Sequence, residues 1–224
     1  IVFTIHNLAY QGLYGRDVFE ALDLPESLWK IDGVEFYDQL SFMKGGLVFA
    51  DQVTTVSPSY AQEICTPEFG YGLEGLLQYR SDQGRLSGIL NGIDELEWNP
   101  AADLHIAKAY AADTVVAGKA ANKSALQRQF NLPEDESAML FGFISRLVEQ
   151  KGIDLTLAAM RKLLDSGKSV QLVCLGSGHA DFERDLQVLR ARFPDKVGVK
   201  IGYDEALAHQ IEAGIDVFLM PSRF

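Results

Sequence analysis

The chain has 224 residues, 47% of them hydrophobic and 23% charged, with 20 Lys and Arg against 31 Asp and Glu for a net charge of −11. That much apolar material excludes disorder as the overall state, and the acidic balance excludes nucleic acid as a partner, because neutralising phosphates needs a basic surface. At about 150 residues per domain the length corresponds to about one and a half domains.

The chain opens on Ile1-Val2-Phe3-Thr4-Ile5, which reads as a strand already under way. Further strands are expected at residues 52–56, 86–90, 139–144, 170–175, 197–201 and 217–220, bounded by Gly, Asn, Ser or Pro. Several are apolar throughout, which suits a parallel sheet covered on both faces. A helix is expected around Ser41-Phe42-Met43-Lys44-Gly45-Gly46-Leu47, and another should end near Phe130. Ile153, Leu157, Met160 and Leu164 fall on one helical face, as do Phe182, Leu186, Leu189 and Phe193. Gly167 and Pro194 stand where these two helices should stop. Strand and helix alternating through short links predict repeated βαβ units and an open α/β fold.

Asn131-Leu132-Pro133-Glu134-Asp135-Glu136-Ser137 is polar and contains a proline, and it predicts a linker. The expected domains are therefore 1–130, lacking its beginning, and 138–224, lacking its end. The chain reads as an internal piece of a longer protein. Cys65 and Cys174 sit in apolar stretches and are read as two buried small hydrophobes, which fits a reducing cytosol. No run reaches the ~18 apolar residues of a membrane span, and no basic segment leads into an apolar one, so neither a membrane partner nor a secretory signal is expected.

In open α/β sheets ligands bind beyond the carboxyl ends of the strands. The residues just after each expected strand are His6-Asn7, Ser57-Pro58, Asn91-Gly92, Ser145-Arg146, Gly176-Ser177-Gly178, Gly202-Tyr203 and Ser222-Arg223. Arg146 and Lys151 place two cations between a strand and a helix start. With the positive end of that helix they could clamp a diphosphate. Two solvated surface cations, one paired with Glu149, fit the segment equally. Gly176 and Gly178 begin like a dinucleotide fingerprint, but Asp181 holds the third glycine position, so a NAD site is disfavoured. The pair reads either as a bare turn that lets a ligand approach or as a simple tight turn. His6 is either a satisfied structural histidine or a site residue, and Tyr203 either stacks a base or packs beneath the next helix. There is no P-loop, no His-Glu-x-x-His, no Cys-x-x-Cys and no nucleophile elbow. No Asp-x-Asp pair stands ready to hold a metal on a nucleotide diphosphate, so Arg, Lys and helix ends would have to meet the charge of a departing one.

Six segments then occur in order. They are His6-Asn7-Leu8-Ala9-Tyr10-Gln11-Gly12; Val56-Ser57-Pro58-Ser59-Tyr60-Ala61-Gln62-Glu63-Ile64; Gly88-Ile89-Leu90-Asn91-Gly92-Ile93-Asp94; Ser145-Arg146-Leu147 with Gln150-Lys151-Gly152; Ile201-Gly202-Tyr203; and Val217-Phe218-Leu219-Met220-Pro221-Ser222-Arg223-Phe224. In this order and spacing the chain resembles bacterial glycogen synthases and plant starch synthases. The resemblance implies a GT-B fold of two Rossmann-like domains, both incomplete here, with the active site in the cleft between them. It implies retaining transfer of glucose from ADP-glucose to the non-reducing end of an α-1,4-glucan, without a metal or other cofactor, in the cytoplasm, or in a plastid for a plant homologue. The alternatives are a retaining GT-B transferase using a UDP-sugar, or an inactive nucleotide-sugar-binding piece.

Carried over residue by residue, Arg146 and Lys151 match the cations on the donor diphosphate, and His6, with Asn7 beside it, matches the histidine near the transferred sugar. Asn91, with Gly92, matches the asparagine holding the donor glucose, and Tyr203 matches the aromatic residue against the adenine. The family's Lys-x-Gly-Gly donor loop is missing, and Lys44-Gly45-Gly46 sits in a helical stretch and does not take that role. The isolated chain is therefore expected to be inactive.

Overall fold

Alternating strands and striped helices assemble into two units that divide between Ile93 and Asp94 in the computed structural model. The structure describes residues 1–223; Phe224, the last residue of the final motif, lies outside the described residues.

The first unit contains, in chain order, β1 (Val2–Ile5), β2 (Leu13–Tyr14), α1 (Arg16–Ala21), β3 (Glu35–Phe36), β4 (Gln39–Ser41), α2 (Phe42–Phe49), β5 (Gln52–Thr55), α3 (Pro58–Glu63), α4 (Glu74–Asp82) and β6 (Leu86–Gly88). A parallel sheet runs β1-β5-β6, with Thr4 opposite Thr54 and Thr54 opposite Ser87. The Thr4 and Thr54 hydroxyls meet across the first pair at 2.8 Å. Ile5, Leu47, Val53, Ile64 and Leu77 bring the sheet and its helices into one core. Ser41 caps α2 through the Lys44 amide, and Ser57 caps α3 through the Tyr60 amide with Pro58 in the first turn. A small antiparallel sheet, β2-β4-β3, was not foreseen, because strands of two or three residues are too short to show an alternation.

The second unit contains α5 (Val115–Gln129), β7 (Met139–Ile144), α6 (Ile153–Asp165), β8 (Val170–Gly176), α7 (Ala180–Arg192), β9 (Val197–Ile201), α8 (Glu205–Gly214) and β10 (Val217–Phe218). Its four strands are all parallel, in the order β10-β7-β8-β9. Side chains of β8 alternate between the two faces. Leu172 and Cys174 join Leu157, Met160, Leu186 and Leu189 under α6 and α7, while Val173 and Leu175 join Leu126, Leu207 and Ile211 under α5 and α8. Both expected helical stripes face this core, and Gly167 follows α6 in the left-handed conformation, with φ +75.

The expected linker at 131–137 requires correction. The units divide some forty residues earlier, and 131–137 is a loop within the second unit. Residues 94–130 go with that unit because α5 is bonded into it. The Lys123 ammonium donates to Ala138 O at 2.6 Å, Glu136 O at 3.1 Å and Asp216 Oδ2 at 2.7 Å. Gln127 Nε2 donates to Asp135 O and Gln171 Oε1, and Gln171 Nε2 donates to Pro133 O. A polar, proline-containing composition was a loop signal here, and its backbone groups are taken up by buried amides. Of the two cysteines, Cys174 is fully enclosed, with burial pushing its thiol up to about 12, whereas Cys65 is only half-buried. No helix among the described residues is long and apolar enough to cross a membrane.

Candidate functional site

In the second unit the chain runs outward from β7 through β8 to β9, then returns to place β10 on the far side of β7. The order therefore reverses between β7 and β10, and a crevice at such a switch point is where open α/β sheets bind ligands. Two loops meet there. After β7 come Ser145, Arg146, Leu147 and Val148, then a short 3-10 turn (Glu149–Lys151) and Gly152, the N-cap of α6. After β10 comes the stretch reaching Arg223. The Arg223 guanidinium donates to both Asp154 carboxylate oxygens, at 2.9 and 2.6 Å, and to Glu149 O at 2.6 Å, while its amide donates to Gln150 O at 2.9 Å. The bidentate hydrogen bonds from Arg223 hold the Asp154 carboxyl down at about 2. Gly152 has φ +68, and a Cβ on it would lie 2.1 Å from Pro221 O, so only glycine lets the two loops close on each other.

Arg146 lines a cleft of about 270 Å³ with Gly176, Ser177, Gly202 and Tyr203, at the carboxyl ends of β7, β8 and β9. Among the described residues neither Arg146 nor Lys151 makes an ion pair or a side-chain hydrogen bond; in particular, no ion pair joins either to Glu149. In a chain of net charge −11, two cations beside a helix N-terminus that pair with no carboxylate themselves are placed to receive an anion. Tyr203 is 85% exposed and packs beneath nothing. Its hydroxyl donates to Glu205 Oε2 at 3.1 Å, and that carboxylate holds the phenol above its ordinary range.

Gly176 and Gly178 have a reason of their own. A Cβ on Gly176 would lie 1.9 Å from Ser145 O, and one on Gly178 would lie 2.3 Å from Leu147 O. Leu147 and Gly178 form an isolated parallel bridge, with the Leu147 amide on Ser177 O and the His179 amide on Leu147 O. These glycines let the β7 and β8 loops touch. Gly176 still lines the cleft, whereas Gly178 is in the bridge beside it.

In the first unit the parallel strands end on one edge, where the other candidates lie. His6 follows β1 and is exposed, and Asn7 Oδ1 accepts from the Ala9 amide at 3.0 Å to turn the chain. Leu8 is fully buried and its amide donates to the Tyr60 hydroxyl at 2.9 Å, which anchors the His6 loop on α3. Asn91 and Gly92 follow β6 and are exposed. A Cβ on Gly88 would meet Ser57 O at 2.2 Å, so the loops after β5 and β6 are in contact. Lys44 lies in α2, buried, with its ammonium on Glu35 O, and burial lowers its pKa; it is a structural lysine, as its helical setting suggested.

Arg223 and Asp154 went unrecognised as a pair at the sequence level. They are 69 residues apart, and only the return of β10 beside β7 brings them together.

A model of the starch synthase catalytic domain matches residues 1–79, and one of glycosyl transferases group 1 matches residues 122–224. The chain is 56% identical over 223 residues to glycogen synthase 2 of Nitrosococcus oceani, covering 44% of that protein. It is 54% identical over 224 residues to glycogen synthase 1 of Methylococcus capsulatus, covering 44%, and 56% identical over 223 residues to the glycogen synthase of Cellvibrio japonicus, covering 45%. In each case the whole of this chain is matched, so it spans about half the length of the curated relatives. Its structure superposes on the catalytic domain of starch synthase IV from Arabidopsis thaliana, bound to ADP and acarbose, with a TM-score of 0.91 and 37% identity, covering all of this chain and 46% of that one. The fold is that of a GT-B starch synthase catalytic domain.

Proposed function

We propose that this chain, a homologue of the bacterial glycogen synthases along its whole length, carries donor- and sugar-handling residues of an ADP-glucose-dependent α-1,4-glucan synthase. The reaction moves glucose from ADP-glucose to the non-reducing end of a glucan with retention at the anomeric carbon. The observation that carries this reading is Arg146, unpaired and exposed in the cleft that Tyr203 also lines, at the carboxyl ends of three parallel strands.

Breaking the sugar–phosphate bond builds negative charge on the departing ADP. Arg146, Lys151 and the amino end of α6 are preorganised for that charge, which is the largest service a site can supply to such a step. The Arg223–Asp154 pair and Gly152 hold the loop that carries Lys151. Tyr203 offers an aromatic face to the adenine. On the first unit, taken as the acceptor side, His6 with Asn7 and Asn91 with Gly92 serve the glucosyl group; the second unit is the nucleotide-sugar side. Gly176 lets the nucleotide lie close to the β8 loop, and Gly178 keeps that loop against Leu147. A cytoplasmic setting belongs to the same reading, with Cys65 and Cys174 as free thiols.

The test is a calorimetric titration of ADP and of UDP into the protein and into its Arg146→Ala variant. A charge-assisted contact contributes roughly 1.5–3 kcal/mol, so the variant should bind ADP about tenfold or more weakly. Because Arg146 has no protein partner, its thermal midpoint should barely move. Equal or tighter UDP binding by the parent chain would redirect the reading to another GT-B transferase. Unchanged ADP affinity in the variant would remove Arg146 from the site.

A further inference from the structure

We infer that Glu97, Glu205 and His209 form a binding site for a divalent first-row transition ion such as Zn2+, separate from the nucleotide cleft and structural or modulatory rather than catalytic. A ring nitrogen of His209 and one carboxylate oxygen from each glutamate lie within 4.8 Å of one another. His209 is 2% exposed and Nδ1 is engaged with Asp103 Oδ2 at 2.7 Å. Nε2 is buried and has no hydrogen-bond partner. Buried ring nitrogens are rarely left unpaired; with Nδ1 taken by Asp103, Nε2 is the ring nitrogen left for an ion held beside the two carboxylates.

The surroundings suit a metal ligand. A carboxylate on the second ring nitrogen fixes tautomer and orientation and raises the basicity of the first, the arrangement usual for metal-bound histidine. Trp98 stacks on the imidazole at 3.8 Å with an interplanar angle of 8°, so the ring cannot turn away. One imidazole and two carboxylates form a mixed nitrogen and oxygen donor set that suits zinc and its neighbours better than magnesium or calcium. Ligand atoms at about 2.0–2.2 Å from a zinc ion stand roughly 3.5 Å apart. The glutamates are exposed, so their side chains can close the remaining distance while water completes the shell.

The site would be felt in the nucleotide cleft. Glu205 Oε2 accepts the Tyr203 hydroxyl at 3.1 Å, and a cation on that carboxylate competes for the same oxygen atoms. An ion here would also tie Glu97, before α5, to Glu205 and His209 on α8, within the second unit.

The experiment is equilibrium dialysis of the intact chain against Zn2+ with metal analysis, followed by titration of Trp98 fluorescence. The chain has two tryptophans, so a Trp29→Phe background isolates the one on His209. About one ion per chain is expected, with a change in Trp98 emission that a chelator reverses. The Glu97→Gln, Glu205→Gln double variant alters only exposed side chains and should keep its circular dichroism spectrum while losing at least about tenfold in zinc affinity. A His105→Ala variant should bind as the parent does, since His105 lies beside the His209 ring but outside the donor set. The inference is overturned if about 100 μM Zn2+ leaves the chain unloaded, if the double variant binds undiminished, or if zinc binds without changing Trp98 emission. None of these outcomes depends on the ADP titration, so the two readings stand or fall separately.

Discussion

At the scale of the residue, Arg146 and Asp154 show two fates for charge at one switch point. Arg146 is left without a partner, whereas Asp154 is locked to Arg223 by two parallel hydrogen bonds. The bonding lowers the Asp154 carboxyl from 3.8 to about 2. A depressed folded value means that the ionised carboxylate stabilises the fold, in full above the ordinary aspartate range, with the contribution lost as pH falls through about 2. NMR titration of the Asp154 carboxyl carbon should therefore give a midpoint near 2 in the parent and a normal aspartate value in Arg223→Ala. A normal midpoint in the parent would show that the pair does not hold the loop in solution. Arg146 and Lys151 were legible in the sequence as cations between a strand and a helix start. The partner of Asp154 was not, because nothing local to either residue marks the other.

At the scale of the element, α6, α7 and α8 are explained by their apolar faces, whereas α5 buries Asn122, Lys123 and Gln127 beside Leu126 and is explained by its polar residues as well. Lys123 reaches two backbone oxygen atoms before β7 and the Asp216 carboxylate before β10, so one ammonium ties α5 to the ends of two strands. Asp216 Oδ2 also accepts the Leu140 amide at 2.8 Å. Removing the ammonium leaves buried acceptors without a donor. Lys123→Ala should therefore destabilise the chain by about 2 kcal/mol, discounting for the partial exposure of Asp216. The denaturant midpoint measures this, and a loss below about 0.5 kcal/mol would show that Lys123 does not hold α5 in place. The stripes of α6 and α7 were readable as helices because periodicity is a local property. That α5 belongs with these strands was not, since its mixed composition conceals which face is bonded.

At the scale of the whole molecule, the division at Ile93–Asp94 has a measurable consequence. Residues 89–97 carry no regular structure and are exposed, with Ile89, Leu90, Ile93 and Leu96 all open to solvent. Within 131–137 the carbonyls of Pro133, Asp135 and Glu136 are held by Gln171, Gln127 and Lys123. Cleavage at loops follows exposure and backbone hydrogen bonding rather than composition. Limited proteolysis should thus cut first within 89–97, and mass spectrometry should find a fragment beginning near Asp94. First cuts within 131–137 would restore the division that composition suggested.

What the sequence determined by itself was the class of fold, the strands of both parallel sheets to within two residues, the striped helices, and the cations placed after β7. These follow from periodicity, turn residues and charge, which act over a few neighbouring positions and survive without knowledge of the rest of the chain. Tertiary structure decided where the units part, which glycines pack one loop against another, and how Arg223 meets Asp154. It alone brought His209 to Glu97 and Glu205. Each of these depends on contacts between residues tens of positions apart, and such contacts exist only once strand order has been chosen and apolar faces have been buried against one another.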